Sequence, residues 1–543
     1  MPLQVLAALR GSCMTRADSP GLVKQDEDCV TAQGASEGTR AFVGDRPATH
    51  TPPAVRLPEK AVIRRLFDCL EEHGVNYCHW KSNIRLTATL AGREDIDLLV
   101  DPRSEAQFHA ALARCGFRPA FSRSGSGHPG VFHALALDSA TAELVDLHAY
   151  YQVVSGDSLV KNYRFPIEPS ILGSTCHLEG VRVPDPCAEL ALFVLRIALK
   201  HVSPVEILKT NRHYDKVIAE LAWLCGRADS RQAAALCAGW FPAIEPALFE
   251  RLRLAIAVDA LWPRVTLGWR VAWRLRHLQR LGPLRATASR YRRLLLFVAG
   301  RLHRRRDLAL QTGGAIIALV GPKGSGKSTV GAQLADRLGR YLCVRRIHVG
   351  KPPATLLSFL PRVFVPLGRL LLPHERLREY QSVERRQKQR YSVLYVLRML
   401  LVAYDRRRLI FRALRAATSG AVVIADRYPS ETARVIDSSC FDDAAVAACR
   451  SPLKRWMMHR ERALYRGLPR PTLVLQLVAQ LDLALERDAR RNKRGGPDPE
   501  AVRRRWHLES EADFSSTPMI RVDASRPLDE TVRCALQAVW EGL

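Results

Sequence analysis

The chain has no C-x-x-C pair and no metal-ligand spacing among its 13 cysteines. An odd number of scattered thiols excludes a disulfide framework and fits reduced cysteines in a cytoplasmic protein. No uninterrupted apolar run reaches the roughly 18 residues that a membrane span needs. The nearest candidate, Leu356 to Leu372, is broken by Pro361, Arg362, Pro366 and Arg369. The opening residues, MPLQVLAALRGSCM, lack the basic leading segment and small-residue cleavage site of a secretory signal, so none is expected. Acid is scarce as well: 54 Asp and Glu face 82 Lys and Arg, a formal net charge of +28. That balance implies contact with something anionic, whether nucleotide, nucleic acid or an acidic membrane surface, and says nothing about fold. No internal repeat is visible. The 543 residues exceed one ordinary core, and 47% hydrophobic content suffices to fill two or three.

Residues 1–55 are rich in Gly, Ser, Thr, Pro and charge without periodicity, and read as a disordered leader. From Glu59 the pattern changes. EKAVIRRLFDCLEEHG predicts an amphipathic helix ending at Gly74, VNYCHW and IDLLVD predict strands, and SEAQFHAALARCG predicts a helix closed by Gly116. VFHALALD and AELVDLHAY predict an antiparallel pair, giving a small α+β unit over 56–185. Residues 186–306 read as helical. Between Trp262 and Arg306 stand thirteen arginines and no Asp or Glu, with Trp262, Trp269 and Trp273 interleaved. One reading is a solvated helix pair whose tryptophans pack on a neighbour. The other is a basic amphipathic surface on anionic lipid, which would place the protein at the inner face of a membrane. The excess arginine comes without the aromatic platforms of a strand-binding module, so no nucleic-acid partner is expected.

After Gly313 the period changes again. AIIALV is a continuous apolar run, as a parallel strand buried on both faces requires. CVRRIHV, AVVIAD, TLVLQLVA and MIRVDA repeat the pattern with helical stretches between most of them. The alternation predicts a doubly wound α/β domain over 313–543. Between the first strand and its helix, Gly321-Pro322-Lys323-Gly324-Ser325-Gly326-Lys327-Ser328-Thr329 fits the phosphate-loop pattern G-x-x-x-x-G-K-[ST]. Its glycines let backbone N–H groups turn inward around phosphates, and the following helix points its positive end at the same charge. Lys327 can reach the β- and γ-phosphates of ATP, and Ser328 can ligate Mg²⁺. Asp426 and Arg427 close the third strand, where a parallel sheet places its ligands. Asp426 can hold Mg²⁺ or orient an acceptor oxygen, and Arg427 can clamp a phosphate. LERDARRNKRGGPDPEAVRRRW follows the fourth strand. It reads as a lid whose arginines, Arg490, Arg491 and Arg494 among them, close on the transferring phosphoryl group, with Gly495-Gly496 as hinge.

The phosphate loop, DRYPS, the arginine-rich lid and the closing MIRVDASRPLDETVRCALQAVW together resemble the thymidylate kinase family of P-loop nucleoside-monophosphate kinases, over about residues 313–543. The resemblance implies ATP, Mg²⁺ and a small phosphoryl acceptor, with Lys327, Ser328, Asp426 and Arg427 at matching positions. Many members are dimers, which makes a homodimer a further implication. Two stretches depart from the pattern. Pro322-Lys323 stands where the family carries an acidic residue. The second strand ends HVGKPP, with Lys351, rather than in a threonine-arginine-glutamate-proline run. The acceptor therefore stays open.

In the N-terminal unit, Asp95 and Asp97 lie two apart on a strand, so their side chains share a face, and Asp146 lies on a strand expected nearby. Three such carboxylates could hold two Mg²⁺ ions. With WKSN before them the unit resembles the nucleotidyltransferase fold. Ser82 matches that family's Gly-Ser turn, and Lys81 replaces its glycine.

Overall fold

The computed structural model describes residues 58–543 apart from 124–126, 303–307, 357, 360, 362–363, 365–390, 434–436, 491–498 and 511. The leader, Arg491, Arg494 and the Gly495-Gly496 hinge lie outside the described residues. No helix among the described residues is long and apolar enough to cross a membrane.

The N-terminal unit begins with α1 (Ala61–Glu72), whose Ile63, Leu66, Phe67 and Leu70 form the buried stripe expected at helical spacing. Gly74, at φ 63°, takes the left-handed turn that ends it. There follow β1 (Tyr77–His79), β2 (Ile96–Val100), α2 (Glu105–Arg114), β3 (Arg118–Ser122), β4 (Val131–Asp138) and β5 (Glu143–Tyr150). The sheet order is β1-β2-β5-β4-β3, with β2 and β5 parallel and the other neighbours antiparallel. Two short ribbons come next: β6 (Val153–Ser155) with β7 (Tyr163–Phe165), and β8 (Thr175–Leu178) with β9 (Val181–Pro184). Asp185 then caps α3 (Pro186–Lys200) through the Cys187 N–H, and proline at the first position helps start it. α3 is buried along nearly its whole length. It forms a core with α4 (Tyr214–Cys225), α5 (Ser230–Trp240), α6 (Pro246–Ala257) and α7 (Leu261–Arg274), ahead of α8 (Pro283–Leu302).

The chain then returns to the first sheet. β10 (Leu308–Leu310) pairs antiparallel with β3 as a sixth strand, a three-residue element too short to leave a periodic signal. Next come β11 (Ala315–Val320), α9 (Lys327–Leu338), β12 (Val344–His348), α10 (Val393–Thr418), β13 (Val422–Asp426), α11 (Pro452–Tyr465), β14 (Leu473–Val478), α12 (Leu481–Ala489), α13 (Pro499–Ser510), β15 (Met519–Asp523) and α14 (Leu528–Gly542). All five strands of this sheet are parallel, in the order β12-β13-β11-β14-β15, and every residue of the central β11 is buried. The region is α/β and NTPase-like.

The two sheets share packing. On β4, Ala134 and Ala136 face the α1–α2 core, whereas Leu135 belongs to a core with Leu334 and Leu338 of α9 and Trp540 of α14. Alternation on one strand thus feeds two cores and leaves neither face of the first sheet bare.

Candidate functional site

Strand order reverses around β11, and the phosphate loop leaves its carboxyl end at that switch point. Gly321 sits at φ 136°, and a Cβ there would lie 2.3 Å from the Leu477 carbonyl oxygen. Gly324, at φ 96°, would meet the Ala484 carbonyl oxygen at 2.6 Å. The loop is thus pressed between the end of β14 and the start of α12, and only glycine fits both places. Lys327 is buried and donates to the carbonyl oxygens of Gly321 at 2.5 Å and Pro322 at 2.8 Å. Ser325 is buried, while Ser328 and Thr329 are exposed on the first turn of α9.

Parallel pairing of β11 with β13 sets Leu319 opposite Asp426, which brings Asp426 to the helix start. The Ser328 hydroxyl donates to Asp426 Oδ2 at 2.8 Å. An exposed hydroxyl joined to a carboxylate beside a phosphate loop is the donor set that Mg²⁺ takes in such sites. Arg427 adopts the left-handed conformation, φ 73°, uncommon for a residue with a long side chain and a mark of local strain. Its guanidinium donates to Asp437 Oδ2 at 3.0 Å. Gly350, in the HVGKPP turn, lets this happen, since a Cβ there would stand 2.6 Å from Arg427 Cδ.

Reading the sequence alone misses what holds Arg427. Arg406 of α10 is buried and donates to Asp437 Oδ1 at 3.0 Å and to the Asp437 carbonyl at 2.7 Å. It also donates to the Val349 carbonyl at 3.0 Å and to the Tyr465 hydroxyl. The signal was present: Ala403, Arg406, Ile410, Ala413 and Ala417 follow a helical stripe, so Arg406 is a charge on a core-facing line. The residue just before Arg406, buried Asp405, accepts from the Thr355 and Ser358 hydroxyls at 2.8 Å each to its Oδ1, pinning the chain after HVGKPP. Of the lid arginines, Arg490 is described. It is exposed and pairs with Glu486 one turn back on the same helix rather than with the phosphate loop.

A second polar cluster lies in the N-terminal unit. Parallel pairing sets Asp97 opposite His148, and Asp146 lies two residues ahead on β5. Asp97 is not open to a cation, because Lys81 Nζ stands 2.8 Å from its Oδ1. Burial opposes ionisation of Asp97, but Lys81 and His148 outweigh it and hold the carboxyl well below its ordinary range. Asp95 sits just ahead of β2. Surrounding protein raises its pKa, and the charges of Asp146 and Asp97 add to the rise. His148 is the residue missed between these carboxylates. Burial alone would lower its pKa, yet the hydrogen bonds to Asp146 and Asp97 raise it to about 9. Lys81 and Lys161 both donate to the Tyr150 hydroxyl, at 3.0 and 3.1 Å. Burial and the neighbouring Lys81 charge bring Lys161 down to about 7. Helix α9 runs from the phosphate loop toward β5 and, roughly 18 Å on, leads to Arg340, which pairs with Glu143 of β5 at 3.7 Å.

A phosphate loop at the switch point of a parallel sheet, with a serine–aspartate pair beside it, decides the class. This is a P-loop NTPase-like region. No family model matches the chain. The chain is 24% identical over 237 residues, 42% of its length, to the uncharacterized ATP-binding protein YghS of Escherichia coli, of which it covers 93%. A solved thymidylate kinase from Candida albicans aligns over 42% of this chain and 92% of its own, at 18% identity and a TM-score of 0.27.

Proposed function

We propose that the chain is an ATP-dependent phosphotransferase of thymidylate kinase-like type, passing the γ-phosphoryl group to a nucleoside monophosphate or a related small acceptor. The observation that carries this reading is the Ser328–Asp426 hydrogen bond at 2.8 Å beside the phosphate loop. Mg²⁺ bound there would neutralise charge on the β- and γ-phosphates. The loop amides cradle the phosphates. Lys327 exchanges the Gly321 and Pro322 carbonyls for the β- and γ-phosphate oxygens. Arg427, fixed by Asp437, presents its guanidinium to the acceptor's phosphate. The test is ATP consumption with Mg²⁺ and a panel of dTMP, other nucleoside monophosphates, nucleosides and sugars. Turnover should appear with one acceptor class and fall on the order of 10²–10³ in Asp426→Asn. ATP binding without turnover on any acceptor in the panel would remove the kinase reading.

A nucleotidyltransferase reading of the N-terminal unit would draw its carboxylates from Asp97 and Asp146, on the paired strands β2 and β5, and from Asp95 just ahead of β2. Under it, Asp97 would exchange Lys81 for Mg²⁺.

A separate observation supports docking on an anionic membrane surface. Trp262, Trp269 and Trp273 are not packed on a neighbour; they are 76%, 62% and 65% exposed along one side of α7. Several linker arginines are already held in ion pairs: Arg264 with Asp259, Arg274 with Glu245 and Arg290 with Asp157. Arg270 and Arg276, by contrast, are exposed beside the tryptophans, and Arg276 lies 4.4 Å over the Trp273 ring. Indole rings with adjacent cations suit the headgroup layer of acidic lipid. Co-sedimentation with phosphatidylserine vesicles should fall at least tenfold in a Trp262→Ala, Trp269→Ala, Trp273→Ala triple variant. Unchanged sedimentation in that variant would exclude this surface.

A further inference from the structure

His133 on β4 pairs directly with His148 on β5, and Asp146 precedes His148 by two residues. A cross-strand pair and an i, i+2 neighbour share one face of a sheet, so the three side chains point the same way. One ligand atom from each lies within 4.8 Å of the other two. Their mutual contacts are incomplete. His148 Nε2 is 3.2 Å from Asp146 Oδ2, but His133 Nδ1 and Asp146 Oδ1 face each other at 3.8 Å, too far to bond. Both of those atoms are buried and hydrogen-bonded to nothing, although Asp146 as a whole is only 8% exposed. Buried carboxylate oxygens and ring nitrogens are almost always satisfied, and a facing pair of orphans marks the place of something between them. Behind His148, Nδ1 stands 3.5 Å from Asp97 Oδ1, and Lys81 holds Asp97 from the far side. An imidazole with a carboxylate at its back is how metal-ligating histidines are oriented.

We propose that His133, Asp146 and His148 hold one divalent transition-metal ion, with Asp97 as the carboxylate that orients His148. Two imidazoles and one carboxylate suit Zn²⁺, Fe²⁺ or Mn²⁺ rather than Mg²⁺, which prefers oxygen alone. Three protein ligands leave at least one coordination position open, the arrangement of a reactive rather than a sealed structural site. The site stands apart from the phosphate loop, so its success or failure is independent of the kinase reading.

The experiment uses the full chain, stripped with chelator and dialysed against Zn²⁺ or Co²⁺. Wild type should retain one equivalent of Zn²⁺. Bound Co²⁺ should give visible d–d absorption without the ultraviolet charge-transfer band of a thiolate ligand. His133→Ala and His148→Ala, checked by circular dichroism, should lose the ion. Asp97→Asn should weaken binding by about 10- to 100-fold. If the histidine variants do not fold, the wild-type Co²⁺ spectrum and a Zn²⁺-induced rise in its melting temperature still decide. Failure of wild type to retain zinc, a thiolate band, or full binding by a folded His148→Ala variant each overturns the proposal.

Discussion

Lys327→Ala should abolish acceptor-dependent ATP turnover, with a loss on the order of 10²–10³ or more, while leaving the fold in place. The ammonium group is the one fixed positive charge that the loop holds between its own carbonyls, those of Gly321 and Pro322. Phosphoryl transfer asks the protein for little covalent chemistry and depends on positioning and charge neutralisation, so a missing ammonium costs rate directly. Removing it leaves the buried Gly321 carbonyl without this donor, so a stability loss of about 1–3 kcal/mol should accompany the loss of rate. Gly324→Ala gives a contrast with a different signature. Its Cβ would lie 2.6 Å from the Ala484 carbonyl at a backbone φ of 96°, so either the loop or α12 must shift. That variant should lose ATP binding as well as rate. Calorimetric ATP titration separates the two: binding kept in part by Lys327→Ala and lost by Gly324→Ala. Turnover retained within threefold in Lys327→Ala would rule out a catalytic role for the lysine.

What the sequence displays and what it hides divide along physical lines. Parallel strands buried on both faces leave continuous apolar runs, so AIIALV, AVVIAD and TLVLQLVA could be read directly and appear as β11, β13 and β14. The phosphate loop was legible because its glycines, lysine and serine are contiguous. The pairing of His133 with His148 was not, because register between strands is set by the whole sheet and not by local pattern. For the same reason Lys81 could be seen as a departure from a Gly-Ser turn but not as the partner of Asp97. The exposure of Trp262, Trp269 and Trp273 depends on whether another element covers α7, which no spacing within α7 reveals. The contact of Arg490 with Glu486 is an i, i+4 pair, and that spacing is visible in the sequence.

Asp437→Asn should destabilise the P-loop region by about 3–5 kcal/mol and, under the proposed function, raise the KM for the acceptor. Asparagine is the informative replacement. Asp437 adopts φ 70°, a left-handed conformation that Asn tolerates nearly as well as Asp, so the variant removes charge without adding backbone strain. The carboxylate lies between Arg406 and Arg427, 3.0 Å from each, and is itself 10% exposed. Without it the Arg406 guanidinium, 5% exposed, keeps bonds to the Val349 carbonyl and the Tyr465 hydroxyl but has lost its counter-charge. Uncompensated buried charge is the source of the stability loss. Arg427 faces a different consequence, since it is partly exposed and loses only its ion pair to Asp437. Its strained backbone stays, but the side chain no longer points one way, so acceptor binding should suffer more than kcat. A double-mutant cycle separates these effects. Adding Arg406→Leu to Asp437→Asn removes the stranded charge and should recover part of the stability, because an apolar side chain can replace a buried ion pair. It should not restore the KM, because the Arg427–Asp437 ion pair stays broken. If Arg406→Leu restores both, Arg427 takes no part in holding the acceptor. If it restores neither, the loss comes from the Asp437 loop rather than from the buried guanidinium.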